Sequence, residues 1–193
     1  MRTRLLLIAL LPLCAAGCGA TKVQSPAPLP PPGPNAPPGT LRLASTAFGD
    51  GASIPKRFTG DGQDVSPPLA WTGLPSGTKE LALLVEDPDA PRGVFTHWVL
   101  YALPTTLAGL PEAVPKTESV SGMGNALQGR NDGGGTGYMG PAPPPGSLHH
   151  YHFRLYALRA RLSLKPGATA DELRSALQGL ILAETELVGT YQR

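Results

Sequence analysis

Residues 81–91 read LALLVEDPDAP, a nearly continuous apolar run that passes directly into acids and prolines. The apolar part, Leu81 to Val85, has the length of a strand and is typical of one that is buried on both faces. The acids Asp87 and Asp89 follow at its end, where a rigid scaffold presents loop residues that carry function. The stretch therefore predicts a buried strand that leads into a candidate site.

The segments around this strand predict a sheet protein. Apolar and polar residues alternate over 41–45, 95–102 and 151–155, which is the period of a strand with one buried face. Clusters of proline and glycine separate these runs, and the chain contains 24 Gly and 23 Pro, which favours turns over long helices. We predict a mainly β fold in which two antiparallel sheets form a sandwich.

A short helix is predicted near the C-terminus. Thr169 and Glu172 form a capping box, in which each side chain accepts from an otherwise unpaired backbone N–H. Apolar residues recur at helical spacing at Leu173, Ala176, Leu177 and Leu180. Gly179 marks the predicted end of the helix. Residues 187–191 are predicted to form a closing strand.

Residues 113–137 differ from the rest of the domain. They are rich in glycine and poor in apolar residues, so we predict a surface loop. Loops of this length are uncommon in compact domains unless they bind something.

Residues 1–17 have the features of a lipoprotein signal peptide. Two arginines provide a positive start, an apolar run follows over 5–13, and small residues occupy 15–17. The apolar run is too short for a stable transmembrane helix. The sequence AAGC at 15–18 resembles the lipobox of bacterial lipoproteins, which implies that Cys18 is lipidated and becomes the N-terminus. Ordinary signal cleavage nearby, which would leave a soluble protein with a free cysteine, is the alternative.

Residues 18–40 are predicted to be a proline-rich tether between the lipid anchor and a domain at 41–193. Eight prolines from Pro26 to Pro38 hold the backbone near polyproline II geometry, which at about 3.1 Å per residue reaches up to roughly 65 Å. A disordered leader of no special length is the alternative. Gly19 stands where an Asp would signal inner-membrane retention. The resemblance therefore implies a lipid-anchored envelope protein at the outer membrane, facing the periplasm.

Charge and cysteine content exclude several classes of protein. The net charge is +2, and removal of Arg2 and Arg4 with the signal peptide leaves 14 basic against 14 acidic residues. A neutral chain without a Lys/Arg cluster lacks the electrostatic footprint of a nucleic-acid-binding protein, so no nucleic-acid partner is predicted. Both cysteines, Cys14 and Cys18, precede the domain, which excludes a disulfide or a cysteine-ligated metal within it.

Three closely spaced histidines invite a metal interpretation that strand geometry disfavours. In a strand, His149 shares a face with Tyr151, whereas His150 and His152 point to the opposite face. Only those two could chelate together, and Arg154 follows them on the same side. No metal or other cofactor is therefore predicted.

His97 is the candidate partner of the acids that follow the buried strand. It lies in the next strand, which can run back antiparallel and bring its imidazole close to Asp87 and Asp89. A carboxylate beside an imidazole fixes its tautomer. The alternative is a turn in which the acids accept from backbone N–H groups while His97 is merely packed.

Two segments together carry a family resemblance. One combines DPDAP at 87–91 with HW at 97–98, and the other is the Gly- and Pro-rich run 137–146 that leads into HHYHF at 149–153. They resemble the signature regions of phosphatidylethanolamine-binding proteins, most closely the bacterial branch often called Raf kinase inhibitor-like. Supporting stretches lie at 64–71, 128–132 and 186–191.

The resemblance implies two antiparallel sheets with a small pocket for phosphate-like or carboxylate groups. Carried over position by position, it implies six ligand-binding residues: Asp87, His97, Gly140, Pro141, His149 and Tyr151. Asp89 and Trp98 are implied as supporting residues. Imidazoles, a phenol and a backbone N–H can all donate to an oxyanion, whereas Asp87 would orient a histidine or accept from a headgroup amine.

The chain departs from the family's pattern at several positions. Gly133 replaces a usual aromatic residue, and Ala102 and Leu180 stand where Asn and His are common. These changes bear on ligand selectivity rather than on the fold.

Three functions are compatible with these sequence features. The leading one is a membrane-tethered binding module that captures a small anionic ligand or a phospholipid headgroup. The second is an inhibitor or regulator whose tether and 113–137 loop engage a protein partner, a protease or a signalling enzyme. The third is a hydrolase, but G-x-S-x-G, His-Glu-x-x-His and Walker motifs are absent from the sequence, so no catalytic residue is predicted.

Overall fold

The computed structural model describes residues 40–193. The predicted signal peptide at 1–17, the predicted lipidation site Cys18 and all but the last residue of the predicted tether lie outside the described residues. No helix within 40–193 is long and apolar enough to cross a membrane.

Two antiparallel sheets form the domain, which confirms the predicted fold class. In chain order the strands are β1 (Arg42–Ala44), β2 (Leu69–Thr72), β3 (Glu80–Asp87), β4 (Phe95–Leu103), β5 (Gly109–Leu110), β6 (Leu127–Gln128), β7 (Leu148–Leu158) and β8 (Ile181–Gln192). A 3-10 turn at Lys56–Phe58 and the helix α1 (Ala170–Leu177) accompany them. The smaller sheet has the order β1-β2-β5 and the larger sheet the order β6-β4-β3-β7-β8.

Strand β3 is the centre of the larger sheet and is buried along its whole length. It pairs with β4 on one side and with β7 on the other. Leu81, Leu83 and Val85 point into the core between the two sheets, whereas Ala82 and Leu84 point to the face that α1 covers. A strand with apolar contacts on both faces requires the continuous apolar run that the sequence contains.

An extra residue in β4 changes which of its side chains face the core between the sheets. Val85 pairs with Trp98, but the next residue, Glu86, pairs with Thr96, so His97 has no register partner in β3. In such a β-bulge two residues of one strand oppose one of the other, which resets the alternation of faces. Trp98 consequently packs in this core, and His97 packs against Tyr151 on the same side of the sheet.

The helix α1 forms as the sequence predicts. The capping box between Thr169 and Glu172 is present in both directions, and the helix ends just before Gly179, whose φ of 72° is left-handed. Leu173 and Leu177 are buried against the outer face of the larger sheet. The closing strand β8 is confirmed as well, although it begins at Ile181 and is longer than predicted.

The prediction of a surface loop over 113–137 is wrong. Four of its apolar side chains are buried in the core between the sheets: Val114, Val120, Met123 and Ala126. It also contains β6, where the buried amide of Gln128 accepts from Nε1 of Trp98 and donates to the carbonyls of Pro115 and Thr117. These apolar residues follow no strand or helix period, which is why their burial was not predictable from periodicity.

Candidate functional site

A pocket of about 220 Å³ opens where β3 ends and β4 begins. The two predicted segments supply its polar lining, Asp87 and His97 from one and His149 and Tyr151 from the other. They meet because β3 lies between β4 and β7 in the larger sheet. The remaining lining is apolar: Ala90, Pro91, Phe95, Met139, Ala142, Pro143 and Pro144. The structure therefore brings four of the six predicted ligand-binding residues into one cavity.

Asp87 holds His149 in a single orientation. Its Oδ2 lies 2.7 Å from Nδ1 of His149, and both side chains are only 5% exposed. Its Oδ1 accepts from the backbone N–H of Asp89 at 2.8 Å. Since a carboxylate accepts and does not donate, Nδ1 of His149 carries the hydrogen. Each oxygen of Asp87 thus accepts one hydrogen bond from the protein, which supports the orienting role.

The expected contact between the acids and His97 is not the one that forms. Asp87 pairs in register with Phe95 of β4, whereas His97 turns to the carbonyl of Met139, with its Nδ1 at 2.7 Å from that oxygen. A carbonyl oxygen only accepts, so Nδ1 of His97 is the protonated nitrogen. The partner of Asp87 comes instead from β7, on the other side of β3, because the register there brings His149 to the end of the strand.

His97 is buried among aromatic rings. Its ring centroid lies 4.9 Å from that of Phe95 and 5.1 Å from that of Tyr151. Burial lowers the pKa of His97, and this effect outweighs the carbonyl of Met139 and the charge of Asp87, which raise it. His97 is consequently neutral at pH 7, with its hydrogen on Nδ1 and a lone pair on Nε2.

Tyr151 carries a hydroxyl group that the described residues leave without a hydrogen-bond partner. The side chain is buried and lines the pocket, and its oxygen contacts no donor or acceptor within 40–193. Burial, together with the charges of Asp87 and Asp89, raises the pKa of Tyr151 far above its usual range, so the group stays a neutral O–H. A buried hydroxyl without a partner costs about 1–3 kcal/mol, which marks it as a donor available to a ligand.

Gly140 and Pro141 support the wall of the pocket and do not line it. The backbone N–H of Gly140 donates to Oδ1 of Asp64 at 2.6 Å, and the carbonyl of Pro141 accepts from the N–H of Gly60 at 2.8 Å. A Cβ on Gly140 would come within 2.7 Å of the carbonyl carbon of Thr59. The N–H of Gly140 that was expected to face a ligand is therefore bound to a side chain behind the turn, and a ligand-binding role for the two residues stays a prediction.

Asp64 is a positioning residue that was not among the predicted site residues. It lies at the start of the supporting stretch 64–71 and adopts a left-handed φ of 54°. It accepts from Gly140 and also from Nζ of Lys116. Its occurrence within a stretch that carries the family resemblance was the one signal that could have identified it.

Asp89 and Trp98 occupy supporting positions outside the pocket. Oδ2 of Asp89 accepts from the backbone N–H and from Nδ1 of His150, which ties the loop after β3 to β7, and this contact lowers the pKa of Asp89. Trp98 is fully buried and packs its ring against Tyr138 at 5.6 Å. Both residues help to hold in place the strands and the loop from which the lining residues of the pocket project.

The pocket has no Lys or Arg among the described residues that line it. The nearby His152 lies on the opposite face, where its Nδ1 bonds to Oε1 of Glu186 at 2.8 Å. Within 40–193 no group of three or more His, Cys, Asp or Glu side chains is placed to hold a metal ion.

A larger depression, of about 720 Å³, lies on the helix side of the same sheet. Its floor is the buried carboxylate of Glu86, which accepts from both Arg154 and Arg174. Arg154 also bonds to Glu186, and Arg174 to Asp171. These four side chains form a salt-bridge network with Glu186 that fastens α1 to the sheet, and Asp132 at the same depression accepts from the backbone N–H of Thr96.

The described residues form a β domain of two antiparallel sheets with a recessed, partly apolar pocket at the strand ends. The family model for phosphatidylethanolamine-binding protein matches residues 44–192, and the chain belongs to that family. A UPF0098 protein of Methanothermobacter thermautotrophicus is 46% identical over 153 residues, covering 79% of this chain and 99% of that protein. A Mycobacterium tuberculosis protein that carries the name lipoprotein LppC is 40% identical over 153 residues, covering 79% of this chain and 72% of that protein.

Solved structures agree with this assignment. A phosphatidylethanolamine-binding protein homologue from Chlamydia trachomatis is 38% identical and superimposes with a TM-score of 0.73, covering 80% of this chain and 99% of that chain. YbcL of E. coli, described as a member of the mammalian family, is 30% identical with a TM-score of 0.74, covering 79% and 98% of the two chains.

Proposed function

We propose that this protein is a binding module whose pocket captures a small oxyanion, such as a free phosphate or the phosphate of a lipid headgroup. The observation that carries the proposal is the buried hydroxyl of Tyr151, which has no partner within 40–193 and lies beside the two imidazoles. His97 and His149 each have one nitrogen held by the protein, at Met139 and Asp87, so the other nitrogen remains for a ligand. These groups converge in a cavity large enough for a headgroup phosphate.

Calorimetric titration tests this proposal with two neighbouring histidines. Inorganic phosphate, phosphorylethanolamine and acetate are titrated into the wild type, His149→Ala and His150→Ala. His149 lines the pocket, whereas His150 is exposed on the opposite face and bonds to Asp89. We expect saturable binding of at least one oxyanion to the wild type and to His150→Ala, with a loss for His149→Ala. No saturable binding to the wild type, or equal binding to both variants, would refute the proposal.

The proposed role is non-catalytic. The pair of Asp87 and His149 could serve as the orienting acid and base of a catalytic triad, but the lining residues found within 40–193 include no Ser, Thr, Cys or Lys to act as nucleophile. Ester and phosphoester substrates should therefore show no turnover above background. Turnover by the wild type that disappears in His97→Ala would favour the hydrolase alternative instead.

The site of action proposed for this module is the outer membrane, facing the periplasm, through a lipid on Cys18. The AAGC sequence at 15–18 supports the anchor, as does the lipoprotein name of the mycobacterial relative. Two or more acyl chains give stable anchoring where one would be marginal. The proline-rich segment 18–40 would then hold the domain away from the bilayer.

The two cysteines provide a matched test of the anchor. We expect Cys18→Ser to move the protein from the outer-membrane fraction to the soluble fraction and to abolish labelling by radioactive palmitate. Cys14→Ser, four residues earlier, should leave both unchanged. Retention of label in Cys18→Ser would contradict the anchor and leave the pocket proposal untouched.

The hypothesis of a protein partner rested on the tether and on an exposed 113–137 loop. The second of these observations no longer supports it, because much of the 113–137 segment packs into the core between the sheets.

A further inference from the structure

We propose, on the basis of the function above, that the pocket binds a phosphate monoanion directly but binds a dianion only together with one proton from solvent. The ligand is then either a monoanion, such as dihydrogen phosphate or the monoanion of a phosphate monoester, or a dianion, such as hydrogen phosphate or sulfate, that enters as the pocket takes up a proton at Nε2 of His149.

The first support for this proposal is the set of hydrogen-bond donors and acceptors that the pocket offers. In their neutral forms His97 and His149 both carry the hydrogen on Nδ1, because Met139 offers a carbonyl oxygen and Asp87 a carboxylate oxygen. Each ring therefore presents a lone pair at Nε2, and no residue of 40–193 bonds to either Nε2. Tyr151 supplies a single donor. A deprotonated oxyanion only accepts, so it matches one of these three groups and faces two lone pairs.

The charge of the pocket is the second ground. With Asp87 ionised and both imidazoles neutral, the lining carries one negative charge, and no Lys or Arg of the described residues lines the cavity to offset it. A proton on Nε2 of His149 turns its bond to Asp87 into an ion pair and makes the lining neutral. Apolar wall residues such as Phe95 and Met139 exclude water, which makes uncompensated charge there more costly.

Carboxylates lie near both imidazoles. His97 faces Asp87 from β3, and the carboxylates of Asp64 and Asp132 act on it from the connecting segments. His149 faces Asp87 and lies within range of Asp89, both at the end of β3.

The cation that the end of β8 brings near His149 is already paired with a carboxylate. Tyr191, opposite His149, and Arg193 both bond to the carboxylate of Asp61. Arg193 therefore does not replace the proton as a counter-charge. His149 is the better site for the proton because its Nδ1 lies on a carboxylate, whereas Nδ1 of His97 lies on a neutral carbonyl and burial lowers the pKa of that ring.

The proton balance differs between the two forms of ligand. A phosphate monoanion donates a P–O–H to Nε2 of an imidazole, and no proton is exchanged with solvent. A phosphate dianion, or sulfate, binds while one proton moves from the buffer to Nε2 of His149, which then donates to a ligand oxygen. Proton uptake at high pH is thus about one for either anion.

Titration calorimetry in two buffers of different ionisation enthalpy counts these protons directly. With wild-type protein at pH 8, we expect phosphate and sulfate each to take up about one proton, and the affinity for both to fall about tenfold per pH unit between pH 8 and 9. At pH 5.5, phosphate should take up close to none. Binding of both anions at pH 8 without proton uptake would overturn the inference while the proposed function stands. No binding of phosphate, phosphorylethanolamine or acetate at any pH would remove the proposed function itself.

Nuclear magnetic resonance of histidine side chains locates the proton. In the phosphate complex at pH 8, we expect the ring nitrogens of His149 to show the doubly protonated form and those of His97 to remain in the neutral form. His150→Gln, on the exposed face, should leave the proton count unchanged, and His97→Gln should keep it near one where it still binds. A doubly protonated His97 beside a neutral His149 would overturn the assignment of the proton.

Discussion

His149 donates from Nδ1 to Oδ2 of Asp87 across 2.7 Å, and this buried contact joins residues that lie 62 positions apart in the chain. Asp87 ends the central strand and His149 lies near the start of the neighbouring strand β7. A single hydrogen bond therefore connects the strand order of the larger sheet to the orientation of an imidazole in the pocket. A substitution that keeps the shape of Asp87 but removes its charge should therefore disturb the orientation of His149.

Asp87→Asn should weaken phosphate binding at least tenfold, or about 1.4 kcal/mol, because the amide no longer fixes the tautomer of His149. Calorimetric titration measures this change. Asp89→Asn is the matched control, since Asp89 bonds to the exposed His150 and does not line the pocket. Equal losses in both variants would show that the effect comes from the loop as a whole.

Tyr151→Phe should stabilise the free protein by about 1 kcal/mol while it weakens oxyanion binding. The variant removes a buried hydroxyl that has no partner within 40–193, and so removes its desolvation penalty. Chemical denaturation measures the free energy of unfolding. Tyr138→Phe is the control and should be destabilising, because the hydroxyl of Tyr138 donates to the carbonyl of Phe58 at 2.7 Å. If Tyr151→Phe were the less stable of the two, the hydroxyl must have a partner in the folded protein.

The free energy of unfolding should fall as the pH drops below about 6.5, the ordinary pKa of histidine. Burial lowers the pKa of His97 in the folded state, so below that pH the unfolded chain binds a proton that the folded chain does not. The slope from this one group is at most about 1.4 kcal/mol per pH unit. His97→Gln should reduce the slope, whereas His152→Gln, at a partly exposed ring bonded to Glu186, should retain it. An unchanged slope in His97→Gln would contradict the lowered pKa.

Ala102→Gly should stabilise the protein by about 1 kcal/mol. Ala102 has a φ of 56°, which crowds its Cβ, and it lies at a second register shift between β3 and β4. Glycine adopts this conformation without that strain. Thermal unfolding with Ala82→Gly as control separates the effects, because Ala82 is fully buried and pairs regularly with Tyr156 of β7, so loss of its methyl group should be destabilising. A lower melting temperature for Ala102→Gly would show that the methyl contact outweighs the strain.

Gly140→Ala should reduce both stability and oxyanion binding. The added Cβ would lie within 2.7–2.8 Å of backbone atoms of Phe58, Thr59 and Gly60, which cannot move without displacing the turn. Gly49→Ala provides the control, because a Cβ there meets nothing within 4 Å. Circular dichroism and phosphate titration measure the two effects. Full binding by a folded Gly140→Ala protein would show that the wall tolerates a shifted turn.

The features that the sequence predicted well depend on local chemistry or on simple periodicity. The capping box at Thr169 and Glu172 needs only neighbours within one turn, and the apolar run at 81–85 reflects burial on both faces. The pocket was predictable as a meeting of two segments, since the family resemblance names residues in both. Its details were not, because they depend on contacts that periodicity does not encode.

Three such contacts account for the differences between prediction and structure. Asp87 had two flanking strands from which to draw a histidine, and register decides in favour of His149. The N–H of Gly140 is taken by Asp64, 76 residues earlier in the chain. The 113–137 segment satisfies its backbone partly through the buried amide of Gln128, a side-chain solution that leaves no alternating pattern in the sequence.

The extra residue in β4 limits how this pocket could be transferred to another protein. A designer who grafted the four polar lining residues onto a sandwich with evenly matched strands would send either His97 or Trp98 to the wrong layer. The smallest portable unit is therefore the pair β3 and β4 together with their mismatch in residue count. Trimming one residue from β4 would exchange a ligand contact for a core contact in a single step.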